Sequence, residues 1–169
     1  VGLWIQWLEG VWQLRRQSCK TPEASNVVYF TLGTMKTSAW NEIVSALDAS
    51  DVSTCVEAAS RLHAEADVED VPKLLALLEN DSFFVREAAA WPLAELVGPS
   101  VLPQLFSAYQ RGFDEGHDND GFTAALLEIP FLFPTETKPS LTNLINIAGE
   151  KTRGHAQWLL EFCSEGSQE

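Results

Sequence analysis

"NDSFFVREAAAWPLAEL", residues 80–96, is apolar on more than one side when wound as a helix. Val85, Ala89, Leu93 and Leu96 recur at the spacing of one helical face, and Phe84, Ala88 and Trp91 mark out a second. A helix lying on the surface of a domain needs one apolar stripe. A helix with two must touch its own partner and further neighbours on both flanks. The alanines at 88, 89 and 90 let those neighbours approach closely, while Val and Leu fill the layer between them. Pro92 lies in the same segment and lacks a backbone N–H, which predicts a bend or one opened hydrogen bond.

The pattern recurs on either side. Shifting the chain by 30 positions lays Asp51 over Asp81, Glu57 over Glu87, Ala58 and Ala59 over Ala88 and Ala89, Ala64 and Glu65 over Ala94 and Glu95, Val71 over Val101, and Leu75 over Leu105. A shift of 67 sets Arg86, Ala89, Trp91 and Leu93 over Arg153, Ala156, Trp158 and Leu160. Self-similarity at such periods signals a stack of supersecondary units. Each unit reads as a first helix followed by a second. The first helices are expected at 38–47, 69–78, 100–111 and 139–148, and the second at 52–66, 82–97, 121–133 and 150–163. Asp51, Asp81 and Asp120 are placed to cap helix starts. "VGPS" at 97–100 and "FPTETKP" at 133–139 read as breaks, and Pro72 and Pro103 fall in first turns, where a missing N–H costs little. The expected fold is all-α, an α-solenoid of about four helical hairpins.

At these residues the chain resembles the HEAT-repeat family in its short bacterial form. Pro72, Asp81, Val85-Arg86 and the alanines 88–90 match the family's order of Pro, Asp, Val-Arg and small residues. The resemblance covers about residues 35–163 and is close for 69–105. The first unit departs from it, with Cys55-Val56 in place of Val-Arg, and so does the unit near Gly121, with Ala124-Ala125. The resemblance implies structural roles for Asp81, Arg86 and Arg153, the arginine bonding to the Asp of a neighbouring turn and stiffening the stack. It also implies that the second helices line a concave face.

The body is acidic. The chain has a formal net charge of −13, yet residues 1–34 hold Arg15, Arg16 and Lys20 against Glu9 and Glu23, so the excess of acid lies entirely in the remainder. Such a surface repels phosphate backbones, which predicts no nucleic-acid partner and favours a basic protein. The apolar fraction of 46% is high enough for a packed core despite that charge. Cys19, Cys55 and Cys163 are odd in number and not in CxxC pairs, which predicts a reduced, cytoplasmic protein. No apolar run reaches membrane-spanning length, and no membrane partner is expected.

Residues 1–34 hold three of the six Trp and precede the sole methionine, Met35. Two readings stay open for them. They form a Trp-rich amphipathic helix from about Leu3 to Arg16, covering an open end of the domain or touching a membrane surface, or they are an extension with no evolved role. The repeat domain is expected to span 35–164, followed by a disordered tail at 165–169.

The most polar stretch, "RGFDEGHDNDGF" at 111–122, gathers Asp114, Glu115, His117, Asp118, Asn119 and Asp120 between two helices. Its spacing does not fit an EF-hand, so a solvated loop is expected, with a role in protein contact because insertions in repeat arrays often border the binding face. Glu57, Arg61, Glu65, Glu87, Glu95 and Glu128 are polar positions on second helices and complete the candidate binding set. His63 aligns with Leu93 and is expected in the core. No catalytic residues, metal ligands or cofactor are expected, since His63, His117 and His155 belong to different units, HExxH and GxSxG are missing, and no phosphate-cradling glycine loop is found. The expected function is a non-catalytic protein-interaction scaffold. The alternatives are an enzyme-accessory protein resembling HEAT-type bilin lyases and an acidic inhibitor of a basic protein.

Overall fold

The structure, a computed structural model, describes residues 35–163. These lie within the compact unit Gly33–Glu169; the readings made for 1–34 and for the tail at 165–169 lie outside the described residues. Among the described residues the chain is helical throughout, with no strand. The helices are α1 (Thr37–Leu47), α2 (Val52–Glu65), α3 (Val71–Leu77), α4 (Phe83–Val97), α5 (Leu102–Asp114), α6 (Asp120–Leu132), α7 (Pro134–Ile147) and α8 (Glu150–Leu160). Short 3-10 turns at Val68–Asp70 and Gly98–Val101 lead into α3 and α5.

Consecutive helices pair closely as α1 with α2, α3 with α4, and α7 with α8. The second members also adjoin one another in order: α2 packs on α4, α4 on α6, and α6 touches α8. The helix of the opening stretch, α4, therefore has neighbours on both flanks. Its buried residues, Val85, Arg86, Ala88, Ala89, Ala90, Pro92, Leu93 and Ala94, run around most of its circumference. Side chains without bulk at 89, 90 and 94 are fully buried, as close helix approach requires. The repeat positions behave alike in burial, since Ala58, Ala59, Leu62 and His63 of α2 are buried as are Ala88, Ala89, Pro92 and Leu93 of α4.

Several expected boundaries move. The Asp51 carboxylate accepts from the Thr54 N–H at 2.9 Å and does cap α2. Hydrogen bonds from Ser53 and Thr54 hold its carboxyl down at about 2. Asp81, by contrast, does not cap α4. Ser82 takes the N-cap position without a side-chain bond, and the Asp81 carboxylate instead meets the Arg111 guanidinium at 3.0 Å. Asp120 is the first residue of α6 and Asn119 its N-cap. α7 starts at Pro134, five residues before the expected Pro139. Pro134 at the first helical position pre-sets φ, Thr137 donates its hydroxyl to the Phe133 carbonyl at 2.6 Å, and the lost bond at Pro139 falls on an exposed turn.

Candidate functional site

The acidic stretch proves shorter as a loop than its composition implies. α5 runs on to Asp114 and α6 begins at Asp120, leaving only residues 115–119 between them. Two residues supply the left-handed turns: Gly116 at φ 85° and Asn119 at φ 57°. Asn is among the few side chains that tolerate this region. Asn119 is wholly buried and donates its Nδ2–H to the Tyr109 carbonyl at 3.0 Å. A methyl group at position 112 would overlap the Asn119 carboxamide, so the glycine in α5 is what lets the loop fold back. Asn119 reads in the sequence as one more polar residue of a solvated loop, and the structure buries it instead; Gly112 does not stand out there at all. The signal was an Asn set among aspartates, in "HDND", eight residues or fewer after a helical glycine.

Most acids of this stretch are tied into the fold. Arg86 of α4 is completely buried; its Nη1 donates to the carbonyls of Asn80 and Asp81 at 2.8 Å each, and its Nη2 to the Glu115 carboxylate. Arg111 of α5 reaches Glu115 at 2.7 Å, Asp81 at 3.0 Å and the Asn80 carbonyl at 3.2 Å. The two guanidiniums thus cover the exposed carbonyls at the end of α3 and join three segments through one carboxylate. Arg86, then burial in the opposing sense, then Arg111 set the Glu115 carboxyl, which ends below its usual range. The family resemblance placed an Asp side chain opposite this arginine; here the turn offers backbone carbonyls and the carboxylate comes from Glu115. Asp114 is held by Lys151 at 2.9 Å and by Gln110, and both lower its carboxyl. His117 stacks on Phe83 with ring centres 4.1 Å apart and stands 3.7 Å from Glu115.

Glu87 is the exception. Half-buried on α4, it lies against the amino end of α6, where Oε1 accepts from the Phe122 N–H at 3.2 Å. A methyl group at Gly121 would stand 2.7 Å from that oxygen, so the glycine admits the carboxyl. Burial, chiefly, and the charges of Asp118 and Asp120 push it up to about 6, against the pull of the backbone N–H groups. Glu87 is thereby brought together with Asp118 and Asp120, three carboxyls around one helix start.

The remaining candidates scatter. On α2, Arg61 bridges Glu42 at 2.7 Å and Glu65 at 3.0 Å, while Glu57 is exposed and outside these pairings. Glu95 of α4 meets the buried His63 of α2 at 2.8 Å, beside the Trp91 ring, so the histidine expected in the core is there with a carboxylate for company. Glu128 is half-buried on α6. Arg153 is exposed and donates to the Ala148 carbonyl at 3.1 Å, closing the end of α7 with no carboxylate involved.

Sequence reasoning also missed Asp70. Its buried carboxylate accepts from the Met35 N–H at 3.1 Å and from Lys73 at 2.9 Å, fastening the start of the described fold to α3. A shallow open depression on α7, lined by Pro134, Lys138 and Asn143 among others, belongs to a single helix and gathers no convergent charges. Among the described residues no group of three His, Cys, Asp or Glu side chains is arranged to hold a metal ion, and no helix is long and apolar enough to cross a membrane. No protein-family model, curated protein or solved structure matches the chain.

Proposed function

We propose that the chain is a HEAT-like α-solenoid that binds another protein through an acidic surface and has no catalysis of its own. The observation that carries the reading is the order of packing. α2, α4 and α6 adjoin in sequence, each backed by earlier helices, which is how stacked hairpins extend one continuous face. Glu57, Glu87, Glu128, Asp118 and Asp120 belong to these helices or the loop beside them. None of the five is taken up by the arginine pairings that neutralise Glu115 and Glu65. Acid left over in this way attracts a lysine- or arginine-bearing segment, speeding encounter and setting its register. A reducing, cytoplasmic setting accords with the free, buried Cys55 thiol, which donates to the Ala49 carbonyl.

The test is charge reversal on the full chain. A basic peptide selected for binding should lose affinity by about tenfold or more on Glu57→Lys with Glu128→Lys, while Lys138→Glu on α7 leaves affinity unchanged. Equal effects from both sites would remove the proposed face.

A further inference from the structure

The second helices α2, α4 and α6 share one burial pattern. Ala58 and Ala59 of α2 answer to Ala88 and Ala89 of α4 and to Ala125 and Leu126 of α6, as do Leu62, Pro92 and Ile129 one turn on. In that register Arg61, Trp91 and Glu128 hold equivalent positions. Residues four apart share a helix face, so α2 carries Glu57, Arg61 and Glu65 as a stripe, and α4 carries Glu87, Trp91 and Glu95. The acids recur. The guanidinium between them gives way to an indole.

We propose that Trp91, with the carboxylates one turn to either side of it, seats an arginine side chain of the bound protein, so that the partner supplies at α4 the guanidinium that α2 carries as Arg61. The inference rests on the proposed reading of the acidic face and names the side chain that face selects.

In α2 the stripe is satisfied within the chain, where Arg61 bonds to Glu65 at 3.0 Å and to Glu42 of α1 at 2.7 Å. In α4 the equivalent position brings no charge. Trp91 is half-buried, packed against the hydrophobic core while part of it stays in solvent. The buried His63 lies 5.8 Å from its ring and meets Glu95 at 2.8 Å, which ties the indole and that carboxylate to one side chain. Glu87 is held at the other end of the stripe by the Phe122 N–H at 3.2 Å. The seat is therefore built before a partner arrives, and little ordering is left to oppose binding. Glu128 of α6 adds a further carboxylate to the row of the indole, on a helix packed against α4.

This arrangement separates two cations that an acidic field alone treats alike. A guanidinium is flat, stacks on an indole face and still directs donors from its edge to carboxylates. A lysine ammonium is compact and strongly hydrated, and gains less from the ring.

The experiment compares an oligoarginine with an oligolysine of equal length, each titrated into the full chain at one salt concentration. The arginine peptide should bind at least about fivefold tighter. Trp91→Leu, which keeps an apolar side chain against the core, should bring the arginine affinity down to the lysine value and leave the lysine affinity unchanged; that unchanged value also reports an intact fold. Trp91→Phe should keep part of the preference. Equal affinities for the two peptides, or an arginine preference that survives Trp91→Leu, would overturn the seat. Equal affinities that both fall on Glu57→Lys with Glu128→Lys would remove the seat and keep the acidic face, whereas no binding of either peptide would remove both.

Discussion

Arg86 has no water to fall back on. Its guanidinium is fully buried and its charge is met by a single carboxylate and two carbonyls, with Nε unpaired. Truncating such a residue strands the carbonyls of Asn80 and Asp81 and leaves Glu115 to Arg111 alone, a combination that costs about 1–3 kcal/mol. Arg86→Ala should lower the midpoint of urea unfolding accordingly, and an unchanged midpoint would mean that the arginine is not part of the frame. Glu87, next to it, works in the opposite sense with pH. Glu115 is depressed by its arginines, so its contribution is present at neutral pH and fades as the pH falls below the usual carboxylate range. Glu87 is raised, so its contribution is full below the unfolded value of about 4.5 and is lost as the pH rises through about 6. That loss is about 2 kcal/mol at neutral pH.

Among the elements, α4 decides the packing, and its alanines decide how closely it packs. Ala89 is fully buried in the helix that both α2 and α6 press against. Ala89→Leu adds three carbons where there is no room, and should destabilise by about 1–3 kcal/mol in chemical denaturation. A neutral result would mean that α4 has a slack flank. This helix was legible in the sequence because apolar residues on two faces permit few other placements. Its start reads to within one residue, but its cap does not: Asp81 and Ser82 are both cap formers, and the Asp81 carboxylate meets Arg111, thirty positions on, which no local pattern announces. α7 shows the same limit, since Pro139 reads as a helix start until Pro134 and the Thr137 hydroxyl supply an earlier one. The acidic loop was legible as a cluster but not as a circuit. Composition counts Asp114, Glu115 and Asp118 alike, whereas folding pairs the first two with Lys151, Arg86 and Arg111 and leaves the third in solvent. Asn119 reads as solvated and Asp70 goes unread because a buried polar residue looks like any surface one until its partners, Tyr109 and Met35, arrive from elsewhere in the chain.

For the molecule as a whole, hydrophobic layers and surface charge have separate tasks. The described residues form one cluster of buried side chains from Met35 to Leu159, which gives the helices fixed relative positions. The acids that remain outside the arginine pairings supply a negative field. Binding to a preformed acidic face should be fast and should weaken with salt, because the attraction acts at distances that a Debye length of about 8 Å at physiological ionic strength already trims. The most direct test is the dissociation constant of the full chain for its selected basic peptide, followed from about 0.05 to 0.5 M salt. The account predicts a loss of affinity of at least about tenfold, carried mainly by the association rate. An affinity that stays flat across that range would contradict it.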